Sequence, residues 1–134
     1  VITEPDVALN ATFQKLNYID DNNISCNGAS DGQITITGIG GNGYSFDDDF
    51  YEFSIDGSSF QSNNVVSGLS AGNHTIDVRD QRGCVFTDVV SLKEPQLLTL
   101  TTLEKNYIKC FGDQTGFIEV QAQGGILPYT YSID

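Results

Sequence analysis

Methionine and tryptophan are absent from this chain, histidine occurs once, and 6 basic residues stand against 18 acidic ones. Each scarcity closes something off. The formal net charge of −12 repels phosphate backbones and anionic headgroups, so neither nucleic acid nor a membrane surface is an expected partner. The single histidine, His74, has no second histidine or cysteine nearby with which to build a zinc site. No apolar run approaches the roughly 20 residues needed to span a bilayer, so direct membrane insertion is not expected. No window shows the i, i+3, i+4, i+7 apolar spacing of an amphipathic helix. No base, nucleophile or carboxylate pair is placed as an active site needs them, and the chain reads as non-enzymatic, with no cofactor required.

What is abundant is Thr, Ile, Val, Tyr, Phe and Gly, a palette for pleated strands and tight turns. The 134 residues, 39% of them apolar, suffice for one domain and part of a second. Short alternating segments follow one another: VALNATF (7–13), with Val7, Leu9, Ala11 and Phe13 on one face, then QITIT (33–37), YEFSI (51–55), HTIDVR (74–79) and CVFTDVVSL (84–92). Asp56-Gly57 after the third is a hairpin-turn signal. Strands this short and turn-punctuated predict an all-β fold, an antiparallel sandwich of immunoglobulin type. In GLSAGNHTIDV, Leu69, Gly72 and His74 follow the spacing of a tyrosine corner, with His74 where the tyrosine would stand. A packing and hydrogen-bonding role is therefore expected of it.

The chain also says the same thing twice. CNGASDGQITITGIGG begins at Cys26, and CFGDQTGFIEVQAQGG begins 84 residues later at Cys110. Glu4-Pro5 recurs at Glu94-Pro95, Asn17-Tyr18-Ile19 resembles Asn106-Tyr107-Ile108, and YEFSID (51–56) recurs as YTYSID (129–134). The length changes between the copies fall in loops, chiefly where NGYSFDDDF stands against ILP. The expected organisation is a tail of a preceding repeat (1–5), a complete repeat (6–95) and the first part of another (96–134). The chain then reads as a window on an array; were it to end at Asp134, strand donation from another copy would complete the second sandwich.

Together CNGASDGQITITGIGG, YEFSIDG, FQSNNVVSGLSAGNHTIDVRDQRGC and VSLKEP resemble the SprB-type repeat of gliding-motility adhesins, and GGILPYTYSID fits its Gly-Gly-x-x-Pro-Tyr-x-Tyr element best. The resemblance implies sandwich repeats strung in tandem on the outer cell surface, exported by type IX secretion, used in adhesion or gliding, and without catalytic residues. The partners it implies are neighbouring repeats, and surface polysaccharide or other cells. Two departures stand out: His74 replaces the corner tyrosine, and NGYSFDDDF replaces a short proline-containing turn.

Cys26 precedes an early strand and Cys84 opens the last one, so a Cys26–Cys84 disulfide closing most of the repeat is expected, the alternative being two buried thiols. Cys110 would be the counterpart of Cys26. Asp47, Asp48 and Asp49 in the inserted loop, and Asp20 and Asp21 in the early linker, supply the oxygen ligands calcium takes, or else solvate their loops. Tyr44, Phe46 and Phe50 beside those acids suit a glycan or protein ligand, or pack inward. Two roles remain open at this point: a stalk within an adhesin, and a calcium-assisted binding module using residues 42–50.

Overall fold

The computed structural model describes residues 7–41 and 51–134. The chain divides into two compact units, Val1–Glu94 and Pro95–Asp134. Among the described residues six strands build the first: β1 (Asn10–Lys15), β2 (Gly32–Ile39), β3 (Glu52–Ile55), β4 (Val65–Leu69), β5 (Gly72–Arg79) and β6 (Val85–Leu92). All pairings are antiparallel, in the order β1-β2-β4 in one sheet and β3-β5-β6 in the other. That is the A-B-E and C-F-G arrangement of an immunoglobulin sandwich without a D strand among the described residues.

Alternation explains the core. On β2 the inward positions Ile34 and Ile36 are buried, and on β5 so are His74, Ile76 and Val78. Phe53 from β3, Leu69 from β4, and Val90 and Leu92 from β6 close the same cluster, with Ile24 from the β1–β2 connection beneath them. Leu9, Ala11 and Phe13 pack against it from the first strand's face, while Val7 is exposed. The strand β4 is not evident from sequence. It is short, carries Gly68 at a φ of +79°, and buries only Leu69 fully, so tertiary pairing with β2 and not alternation makes it a strand.

The chain enters this unit at one end and leaves at the other. At the entry end, Gly41 N–H donates to the Val7 carbonyl at 2.9 Å, and Asp80 N–H donates to Cys84 O. At the exit end, Gly32 of β2 pairs with Leu69 and Gly72 of β5 pairs with Leu92.

The second unit consists of β7 (Thr99–Asn106) and β8 (Phe117–Gln123), an antiparallel pair. It repeats the β1–β2 ribbon contact by contact. Asn10 opposite Ile39 becomes Thr99 opposite Gln123, and Lys15 opposite Ile34 becomes Lys105 opposite Ile118. A register shift between Thr102 and Glu104 absorbs one extra residue, Leu103. The bond from Gly41 N–H to Val7 O reappears from Gly125 to Gln96, and that from Ala29 to Cys26 reappears from Asp113 to Cys110. Gly40 and Gly124 both have positive φ, and a Cβ would run into the carbonyl of Ala8 in one and Leu97 in the other. The counterpart of Ile108 is Ile24 and not Ile19: Ile24 lies over Gly32 as Ile108 lies over Gly116, whereas Ile19 is exposed on a 3-10 turn.

The two ribbons differ in what covers them. Ile34 is 0% exposed and Ile118 is 63% exposed; Phe53 is 5% exposed and Tyr131 is 58% exposed. In the first unit β3 is a strand because β5 pairs with it, while residues 129–134, with nearly the same sequence, form no strand.

Candidate functional site

The exit end of the first unit gathers the most elaborate polar structure, and three side chains organise it. Asn23, 1% exposed, donates through Nδ2 to the Leu16 carbonyl (3.1 Å) and Asn17 Oδ1 (2.8 Å), and accepts from Lys93 N–H through Oδ1 (3.1 Å). The N–H groups of Asn23 and Ile24 both donate to Lys93 O. One buried amide thus joins the end of β1 to the segment after β6, and its hydrogen-bonding capacity is met on both sides.

Glu94 does the equivalent for the Cys26 turn. Its carboxylate accepts from Gly28 N–H at 2.6 Å and from Asn27 Nδ2 at 3.0 Å. Gly28 sits at a φ of +79°, the left-handed conformation that points its N–H at the carboxylate without a Cβ penalty. The acid of the Glu-Pro boundary is therefore a clamp that fastens the departing chain to an early turn of the same unit.

His74 forms the third point. It is 7% exposed on the inward face of β5. Its Nε2 lies 2.9 Å from Ser70 O, four residues upstream across the Leu69–Gly72 corner, and its Nδ1 lies 2.7 Å from Asp56 Oδ2. Asp56 and Gly57 both have positive φ, and Ser58 N–H donates to Ile55 O, so the two residues form a tight turn after β3. The turn is held to β5 by Thr75 N–H to Asp56 Oδ1 and by Asp56 N–H to Thr75 O. Burial, the largest influence on the imidazole, pulls its pKa down. The Asp56 hydrogen bond, the Ser70 carbonyl and the carboxylate's charge outweigh it and raise the pKa above the ordinary 6.5. Asp56 is correspondingly lowered below 3.8, first by its bond to His74 and then, against desolvation, by Thr75 N–H and the charge of His74.

The disulfide expected between Cys26 and Cys84 is not formed, and neither are these buried thiols: both side chains are exposed, as is Cys110. Topology explains it. Cys26 belongs to the turn clamped by Glu94, beyond the end of β6, whereas Cys84 immediately precedes the start of β6. Eight strand residues at about 3.3 Å each separate the two ends, far beyond the roughly 7 Å between Cα atoms that a disulfide spans.

The other expected sites fare differently. Asp20 and Asp21 lie exposed on the 3-10 turn Ile19–Asp21 with positive φ, and Asp21 faces Lys93 at 3.6 Å. Among the described residues no three His, Cys, Asp or Glu side chains gather as metal ligands would. Asp47, Asp48 and Asp49, with Tyr44, Phe46 and Phe50, lie outside the described residues, as do residues 1–6. A groove of about 530 Å³ at the entry end is lined by Tyr51, Glu52, Ser62, Arg79, Asp80 and Arg82. Its chemistry is mixed in sign: Arg79 is paired with Glu52 and stacked 4.0 Å over Phe60, and Asp80 Oδ1 accepts from Arg82 and Cys84 N–H groups. Sequence reading missed Asn23 and the partner of Glu94 altogether. The Glu-Pro repetition was the one available signal for the latter.

The family model of the SprB repeat matches residues 106–134, from the last residue of β7 through β8 to the YTYSID segment, in agreement with the resemblance drawn from the motifs. The SprB repeat is a structural repeat family and not a known enzyme family. No curated protein and no solved structure matches the chain.

Proposed function

We propose that this chain is a non-catalytic tandem-repeat segment of a large bacterial cell-surface adhesin, exported by type IX secretion, that serves as an extended stalk in adhesion or gliding. The observation that carries the reading is the recurrence of one contact set in both units. Tyr51 and Tyr129 each donate to the first glycine carbonyl of a Gly-Gly pair, Gly40 and Gly124, and the Val7–Gly41 and Cys26–Ala29 bonds recur likewise. Entry and exit at opposite ends of the sandwich suit a spacer, because each repeat then adds its length to the polymer. Pulling on those ends shears β1 against β2 and β5 against β6, so the ladder bonds resist together and not one by one.

The test is in cells that carry the protein. Antibody raised against this chain is expected to label intact cells, and a variant lacking residues 42–50 is expected to keep both its fold and the cells' attachment to a surface. Absence of labelling overturns the surface assignment. Lost attachment by a folded variant overturns the stalk in favour of a binding module built on that loop.

A further inference from the structure

His74 is the sole histidine of the chain, and both of its ring nitrogens face oxygen acceptors. Nδ1 meets the Asp56 carboxylate at 2.7 Å and Nε2 meets the Ser70 carbonyl at 2.9 Å. Neither acceptor carries a hydrogen to give. A neutral imidazole has one N–H and one lone pair, so in either tautomer it satisfies one of these oxygens and turns a lone pair on the other. The imidazolium, with two N–H donors, satisfies both. A phenol at this position, as in a tyrosine corner, would reach one partner only.

We propose that His74 functions as the imidazolium, a proton-operated clasp that fastens the Asp56–Gly57 turn to the Ser70 corner and loosens the exit end of the repeat when the ring gives up its proton. The surroundings isolate this chemistry. Asp56, from the turn after β3, is the titratable group in contact with the ring among the described residues. The corner Leu69-Ser70-Ala71 brings a carbonyl and no charge. From β6, Val90 stands directly across from His74, and the nearest acid on that strand, Asp88, is exposed opposite Ile76. On β5 itself, Asp77 accepts from the Thr87 hydroxyl. The ring is thus poised by one carboxylate and one carbonyl, and among the described residues no other group compensates when it deprotonates.

The sign of the effect follows. The folded pKa of His74 lies above its ordinary value, so its stabilisation is fully present below about pH 6.5 and is lost as pH rises through the folded pKa. The folded pKa of Asp56 lies below 3.8, so its share is present above that value and is lost as pH falls through the folded one. The clasp is strongest between about pH 4 and 6.5. The second unit contains no histidine, so the response belongs to the first.

The experiment is a nitrogen-15 NMR titration of the imidazole in the whole chain, run beside urea unfolding midpoints across about pH 5 to 9. A single ring gives an unambiguous signal. The expected result is a doubly protonated ring at pH 6.5, a titration midpoint above 6.5, and an unfolding midpoint that falls through the same range. Asp56→Asn should lower the titration midpoint, and His74→Tyr should flatten the pH dependence. A ring that is a neutral tautomer at pH 6.5, or a midpoint of unfolding that does not move while the ring titrates, overturns the proposal. The titration is made on the unaltered protein, so its outcome decides even where a variant fails to fold.

Discussion

Glu94 Oε2 accepts the Gly28 N–H at 2.6 Å, 66 residues away in the chain. This contact joins two elements of the repeated sequence, the Glu-Pro boundary and the Cys-x-Gly turn, and shows that they are one device. The left-handed glycine orients the N–H, and the carboxylate at the end of the unit receives it. Its function is to fix where the chain leaves the sandwich.

Glu94→Ala removes both acceptor bonds of this clamp. With the pair partly solvated, the expected cost is about 1 kcal/mol. The decisive readout is hydrogen exchange at Gly28, whose amide should lose protection while that of Ile36 on β2 keeps it. Unchanged protection at Gly28 would show that the clamp is dispensable.

Asn23→Ala strips partners from the Leu16 carbonyl and the Lys93 N–H in a part-buried site. A destabilisation of about 2 kcal/mol is expected in urea unfolding, larger than for Glu94→Ala because Asn23 itself is buried and three of its side-chain bonds are lost together.

Ile34→Ala and Ile118→Ala are the same substitution at the same place in two copies of one motif. The first removes a fully buried side chain from the core and should cost about 2–5 kcal/mol. The second touches an exposed side chain and should move the main unfolding transition by no more than about 0.5 kcal/mol. Equal effects would mean that the face of β8 is covered in solution.

Mild oxidation should leave Cys26 and Cys84 of one molecule unlinked. The monomer recovered after oxidation should yield no Cys26–Cys84 peptide pair in non-reducing peptide mapping. Recovery of an intramolecular Cys26–Cys84 peptide pair would contradict the placement of the two residues at opposite ends of β6.

Much of this protein was legible one residue at a time. Alternation in QITIT and HTIDVR marks their buried faces, because a strand exposes every second side chain to the same side whatever it packs against. The Gly-Gly pairs mark backbone that must take positive φ beside a neighbouring carbonyl, and Asp56-Gly57 marks a tight turn, since these are local demands of the chain. The repeat is legible for the same reason: recurring local demands leave recurring residues.

Other properties depend on which end of the sandwich a residue occupies, and only the tertiary structure decides that. Cys26 and Cys84 look pairable along the sequence, yet the path of β6 carries them apart. Ile34 and Ile118 are the same residue in the same pattern, and one is core while the other is surface because only one has a second sheet above it. The strand β4, with little alternation to announce it, exists through its pairing with β2. His74 is recognisable from its spacing as a corner residue, but its second partner comes from a turn 18 residues upstream, and that contact makes the ring's charge matter. Sequence determined the local conformations and the period with which they return; long-range pairing determined burial, partners and charge state, because those depend on neighbours that the chain brings together only by folding.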